Sequence, residues 1–101
     1  MILELTLTSA AFVMGAALPI RHTGFAEDLS PPLAWSAAPS GTVSFVVICD
    51  DPDAPAGDWV HWVLFNLPAD TRELKEGIPP HQRLKNGAIQ GLNDFGTVGW
   101  R

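Results

Sequence analysis

The stretch from Cys49 to Asn66, with the sequence CDDPDAPAGDWVHWVLFN, decides how the rest of the chain is read. It places an acidic, proline-containing loop between one apolar run and a second apolar run that starts at Trp59. Apolar runs bounded by clusters of Asp, Pro and Gly are typical of β-strands. The stretch therefore predicts a strand, a stiff loop and a return strand that carries one histidine, His61.

The loop presents two carboxylates in a restrained way. Pro52 and Pro55 each fix their own φ and push the preceding residue towards extended conformations. Asp51 and Asp53 therefore sit on a backbone with little freedom, two residues apart, at the end of an apolar strand.

The return strand alternates regularly, because successive side chains of a strand point to opposite faces. One face is predicted to carry Trp59, His61, Val63 and Phe65, and the other Val60, Trp62 and Leu64. Both faces are apolar, which predicts a central strand that is covered on both sides.

His61 is the ionisable side chain in this run, and two interpretations stay open for it. It is either a satisfied core histidine or part of a binding pocket in which a nearby carboxylate orients the imidazole and holds it protonated. In the second interpretation, Asp51 accepts a hydrogen bond from His61.

Length and composition indicate one globular domain over residues 1–101. Hydrophobic residues make up 47% and charged residues 17% of the chain, the formal charge is −5, and no basic run occurs. Nucleic acid and anionic membrane surfaces are therefore poor partners. Cys49 is the single cysteine, and the apolar segment Ala10 to Leu18 lacks a basic flank and is too short to span a bilayer. These features predict a cytoplasmic protein without an integral membrane segment.

The remaining segments are predicted in outline. Strands are expected at Ile2 to Thr8 (an edge strand), at Leu33 to Trp35, and at Val43 to Asp50, the clearest buried strand. Asp70 to Glu76 is expected to form a short helical turn with a capping box. Gly77 to Gln90 is expected to be a loop with a turn at Asn86-Gly87. A solvated surface is expected for Arg21, His22, Glu27 and Asp28.

Several other kinds of functional site fit the sequence poorly. Pro55 replaces a ligand in the calcium-loop pattern that Asp51 and Asp53 begin, and no serine-hydrolase elbow occurs. A Cys49–His61 dyad would need a reactive thiol in apolar surroundings, where thiol pKa values rise. No cofactor is predicted.

The ordered motifs resemble the phosphatidylethanolamine-binding proteins, whose bacterial and archaeal branch is often called Raf kinase inhibitor-like. The central motif is DPDAP at 51–55 with DWVHW at 58–62; the others are SPPLAW at 30–35, LPA at 67–69 and GLNDFGTVGW at 91–100. The resemblance implies an all-β fold with minor helix, an antiparallel Greek-key β-sandwich. It also implies an anion-binding pocket lined by Asp51, Asp53, Pro55, Trp59 and His61.

The resemblance covers the N-terminal two-thirds of that family's domain. The family's Gly-Pro-x-Pro-Pro turn and His-x-Tyr stretch do not follow the glycine-rich motif, and the chain has no tyrosine. We therefore expect a second chain or a homodimer to complete the fold.

The predicted function is non-catalytic binding of a phosphate, a phosphoryl group or another small anion, and the resemblance adds regulation of a kinase or protease. Two aspartates repel an anion, so binding requires a protonated His61 and backbone N–H groups from the glycine-rich segment. The alternative is a small hydrolase that uses Asp51 and His61 as an acid–base pair.

Overall fold

Two three-stranded antiparallel sheets form the fold in a computed structural model, which describes residues 5–101. The first sheet has the order β1-β2-β5 and the second the order β3-β4-β6. The strands are β1 Leu7–Thr8, β2 Leu33–Trp35, β3 Ser44–Asp51, β4 Trp59–Pro68, β5 Glu73–Leu74 and β6 Ile89–Gln90. A 3-10 turn at Ile20–His22 is the helical element of the described residues. The predicted all-β antiparallel sandwich is confirmed.

The core lies between the two sheets and draws on both. Trp62 and Leu64 of β4 are fully buried, as the alternating pattern predicts. Trp35 of the first sheet packs against Phe45 of the second, with ring centroids 5.5 Å apart. Burial of these large apolar side chains, at about 25 cal/mol per Å² of surface removed from water, stabilises the stacking of the two sheets. The predicted central position of β4 is confirmed, since β3 and β6 flank it.

The pairing of β3 with β4 contains two register shifts. Phe45 lies opposite Leu67 and Val47 opposite Leu64, so β4 holds one extra residue between these pairs. Asn66 lies in that interval with φ +57°, a left-handed conformation that asparagine tolerates better than most residues. A bulge of this kind bends a strand and increases its twist.

Two sequence predictions about strands need correction. The run Val43 to Asp50 is not buried throughout, because Val43 lies outside β3 at 85% exposure and Val46 and Ile48 are each 60% exposed. The reason is topological: β3 is at the edge of its sheet, and within the described residues only its inward face meets the core. The β-branched composition predicts a strand but not its position in the sheet.

The segment Asp70 to Glu76 does not form a helical turn. Glu73–Leu74 is strand β5, and Leu74 pairs with Leu33 and is buried. Tertiary burial of Leu74 therefore outweighs the local capping pattern. The turn predicted at Asn86-Gly87 is confirmed, with Gly87 at φ +90° and its N–H bonded to the Leu84 carbonyl, although the predicted loop ends in β6.

The first sheet also agrees in part with the strands predicted from the sequence. Strand β2 has the predicted bounds, and β1 is an edge strand as predicted. Of the predicted strand Ile2 to Thr8, the structure describes residues 5–8 and assigns Leu7–Thr8 to β1; residues 1–4 lie outside the described part.

Candidate functional site

His61 lies at the second register shift of the β3–β4 pair. Cys49 is opposite Trp62, whereas the next residue, Asp50, is opposite Val60, so His61 has no opposite residue on β3. Bulges are frequent next to functional sites because they re-aim a side chain. The regular alternation predicted along β4 is therefore interrupted at the one histidine of the strand.

The glycine-rich segment 91–101 runs along β4 and fixes the surroundings of His61. Gly91 N–H donates to the Val63 carbonyl at 2.9 Å, Asp94 N–H to the Val60 carbonyl at 2.8 Å, and Arg101 N–H to the His61 carbonyl at 3.2 Å. In return, the Arg101 carbonyl lies 2.6 Å from Nδ1 of His61. The carbonyl only accepts, so Nδ1 carries a proton and Nε2 is the ring atom left for a ligand.

At one position of this segment, Gly99, there is a clear steric reason for a glycine. Gly99 has φ +96°, and a Cβ there would lie 3.2 Å from the Cα of Pro80. A side chain would therefore clash as well as strain the backbone. This close approach places the neighbouring Trp100, whose indole N–H donates to the His22 carbonyl at 3.0 Å.

A cleft of about 330 Å³ opens beside His61. Its wall includes His22, Cys49, His61, Phe95, Trp100 and Arg101. The His61 ring lies 5.9 Å from the Phe95 ring and 6.4 Å from the Trp100 ring, measured between centroids. The histidine is thus half-buried between aromatic rings at an opening, not enclosed in the core.

The other predicted site residues lie in or next to the loop between β3 and β4. Asp51 ends β3, and its Oδ1 accepts the N–H of Asp53 at 2.9 Å, which makes the turn rigid. Asp53 and Pro55 are exposed. Trp59 packs edge-on against Phe95 at 5.2 Å, so it shares this neighbour with His61.

The predicted hydrogen bond between Asp51 and His61 is wrong. The imidazole binds the main-chain oxygen of Arg101 instead, and among the described residues no Asp or Glu side chain lies within ion-pair distance of it. The register shift and the returning glycine-rich segment bring the Arg101 carbonyl to Nδ1, while the Asp51 carboxylate is used within its own turn. The residues proposed as an acid–base pair are therefore not joined.

His22 was predicted to lie on a solvated surface, and this is wrong. Its side chain is buried, with Nδ1 2.9 Å from the Leu29 carbonyl and Nε2 3.7 Å from Oε1 of Glu76. Arg21 binds the same carboxylate through both Nε and Nη2 at 3.0 Å. No local pattern marks this cluster, because Glu76 lies 55 residues along the chain from Arg21.

Electrostatics differ between the cleft and the adjacent loop. Burial, and then the negative charge of Asp50, raises the pKa of the Cys49 thiol above its ordinary value. The pKa of Asp58 is also raised, first by a side-chain hydrogen bond with Asp50, then by desolvation and by repulsion from Asp50, Asp94 and Asp51. The thiol is therefore a poor nucleophile at neutral pH.

Between residues 5 and 101, no group of three His, Cys, Asp or Glu side chains is arranged to hold a metal ion. No helix in that range is long and apolar enough to cross a bilayer.

These features define an antiparallel β-sandwich with a small aromatic and polar cleft at the end of its central strand. A family model described as phosphatidylethanolamine-binding protein matches residues 8–101, and the chain belongs to this family. The family predicted from the sequence motifs is thereby confirmed.

Relatives of the chain occur in archaea and bacteria. It is 45% identical over 97 residues to a UPF0098 protein of Methanothermobacter thermautotrophicus, a match that covers 96% of this chain and 64% of the relative. It is 46% identical over 92 residues to a UPF0098 protein of Aquifex aeolicus, covering 91% of this chain and 53% of the relative. The chain thus spans between about half and two thirds of these relatives.

Two solved structures have the same fold. Escherichia coli YbcL, described as a member of the mammalian PEBP family, matches with a TM-score of 0.85 at 38% identity, covering 96% of this chain and 64% of that one. A phosphatidylethanolamine-binding protein homolog from Chlamydia trachomatis matches with a TM-score of 0.83 at 36% identity, covering 95% and 62%.

Proposed function

We propose that this protein binds a small anion, with phosphate or a phosphoryl headgroup as the preferred chemistry, in the cleft beside His61. The observation that carries the proposal is the hydrogen bond from Nδ1 to the Arg101 carbonyl. It orients the ring and leaves Nε2 as the ligand-facing donor when the imidazole is protonated.

The charge balance of the cleft supports an anion. Arg101 lines the cleft, and its guanidinium lies 5.2 Å from the centroid of the Phe95 ring. A guanidinium held over an aromatic face is a suitable donor to phosphoryl oxygens. Asp28 also lines the cleft and limits the net positive charge, which favours a ligand that carries an amine beside its phosphate.

The loop that borders the site has a supporting role in this proposal, through Asp51, Asp53, Pro55 and Trp59. The turn made by Asp51 and Asp53 stabilises the end of β3, and Trp59 supports Phe95, which lines the cleft. Regulation of a kinase or protease is proposed on the family resemblance alone, and a cytoplasmic location on the single cysteine.

The test is a calorimetric titration of the wild type with inorganic phosphate and with phosphoethanolamine. His61→Ala removes a charge-assisted hydrogen bond and is expected to weaken binding about tenfold or more. His81→Ala is the matched control, since His81 is exposed and does not line this cleft. Equal affinities for wild type and His61→Ala would refute the proposal, and tighter binding of phosphoethanolamine than phosphate would identify the headgroup.

A second arm uses sulfate, which keeps its charge across the neutral range. Sulfate affinity should also fall about tenfold or more in His61→Ala and stay unchanged in His81→Ala.

A further inference from the structure

A cleft of about 550 Å³ lies beside the hairpin that ends in β6, and it shares no lining residue with the His61 cleft. Two backbone bonds hold this hairpin. Gln90 N–H donates to the Gln82 carbonyl at 2.9 Å, and Leu84 N–H donates to the Ala88 carbonyl at 2.9 Å. Because these bonds use residues 82 and 84, the N–H and C=O groups of Arg83 point away from β6. Arg83 therefore offers backbone as well as a side chain to a ligand.

The walls of this cleft combine positive charge with apolar surface. His81, Arg83 and Lys85 line it and are exposed. Leu74, which is buried, and Leu84, which is half-buried, supply apolar surface to the same cleft. None of its described lining residues is acidic, although the chain as a whole has a formal charge of −5. We call it the basic cleft.

The two strong cations of the basic cleft are not used by the fold. Arg21 is bound to the Glu76 carboxylate, whereas Arg83 and Lys85 form no ion pair within residues 5–101. A cleft lined by one sign of charge raises the local concentration of ligands of the opposite sign. The basic cleft is thus suited to an anionic ligand that also has apolar groups.

We propose that the basic cleft binds an extended acidic peptide segment in which carboxylates alternate with apolar side chains. Basic residues occupy every second position from His81 to Lys85, and the carboxylates on one face of an extended peptide repeat about every 6.5–7 Å. Carboxylates pair well with Arg and Lys, while the apolar side chains of the other face would contact Leu74 and Leu84. A backbone bond to Arg83 would complete the recognition, as in strand addition. The inference goes beyond the function proposed for the His61 cleft and does not depend on it.

The test is fluorescence anisotropy with the full 101-residue chain and a fluorescein-labelled peptide in which three glutamates alternate with three valines. The matched peptide has glutamine at the three glutamate positions. The chain is expected to bind the glutamate peptide about tenfold or more tightly than the glutamine peptide. Raising the salt concentration from about 20 mM to about 500 mM should weaken this binding, since salt screens exposed charges. Equal binding of the two peptides, or binding of neither, would overturn the proposal.

Matched substitutions locate the contact. Arg83→Gln and Lys85→Gln are each expected to weaken binding of the glutamate peptide about threefold or more. Lys75→Gln makes the same change at an exposed lysine that does not line the basic cleft, and should leave the affinity unchanged. His61→Ala should also leave it unchanged, which separates this site from the His61 cleft. Circular dichroism checks that each variant is folded.

Three results of these experiments would refute the assignment. Equal losses in Lys75→Gln and Lys85→Gln would show a general effect of net charge. A loss in His61→Ala would place the peptide in the other cleft. Displacement of the peptide by an equal concentration of an oligothymidylate with three phosphates would show that the basic cleft prefers nucleic acid.

Discussion

Asn93 provides the sharpest test of how the glycine-rich segment is held. Its side chain is buried, and Nδ2 donates to the Gly99 carbonyl at 2.8 Å and to Thr97 Oγ1 at 2.9 Å. Its Oδ1 accepts the backbone N–H groups of Phe95 at 3.0 Å and Thr97 at 3.2 Å. One amide thus holds the turn that leads back to His61.

The expected cost of Asn93→Ala follows from these bonds. The bond to Gly99 is buried, and an unpaired buried carbonyl costs about 1–3 kcal/mol. The two backbone N–H groups lie near solvent and can bind water, so each bond contributes about 0.5–1.5 kcal/mol net. We expect the free energy of unfolding to fall by about 4 kcal/mol in total.

Urea denaturation followed by tryptophan fluorescence measures this change as a shift of the midpoint at constant slope. Asn86→Ala is the control, because Asn86 is exposed and makes a single bond, to the Ala88 N–H at 3.0 Å, with an expected cost of about 1 kcal/mol. Asn93→Asp keeps the acceptor and loses the donor, so it tests the two Nδ2 bonds, to the Gly99 carbonyl and to Thr97 Oγ1, apart from the bonds that Oδ1 accepts. A midpoint shift for Asn93→Ala no larger than that for Asn86→Ala would refute the reasoning.

Two further predictions concern titrating groups. The raised pKa of Asp58 means that the folded chain holds this proton more tightly than the unfolded chain, so the stability from Asp58 is present at acid pH and lost as the pH rises through the raised value. Asp58→Asn should therefore raise Tm at pH 7 and not at pH 3. Asp70→Asn changes an exposed aspartate in the same way and serves as the control, which should not show this pattern. If Asp58→Asn left Tm unchanged at pH 7, the repulsion between Asp58 and Asp50 would be contradicted. Because the pKa of Cys49 is raised and its side chain is half-buried, iodoacetamide should modify it more slowly in the native protein than in urea at the same pH, and equal rates would disprove the burial argument.

The local sequence pattern was sufficient to predict those elements that depend on contacts between residues close in sequence. The alternation around Trp62 and Leu64 predicted a central strand, and both side chains are fully buried. The motif from Asp51 to Pro55 predicted a stiff loop, and Asp51 closes a turn on Asp53. Each of these outcomes depends on the two-residue period of a strand or on a contact across two residues.

Contacts between distant segments were decided by the tertiary structure. His61 bonds a carbonyl 40 residues away, and Arg21 pairs with Glu76 55 residues away. Nothing in the local pattern distinguishes these partners from Asp51 or from water, because hydrogen-bond donors and acceptors recur along the whole chain.

The sequence alone determined the family through its ordered motifs, and the resemblance to that family implied the sandwich class. The apolar periodicity of the return strand indicated the candidate histidine. Only the tertiary structure decided that β3 lies at an edge, that Leu74 belongs to a strand, and that the Arg101 carbonyl orients His61. The physical reason is that burial and hydrogen-bond pairing depend on which segments the topology brings together, whereas the local pattern specifies only what each segment can form by itself.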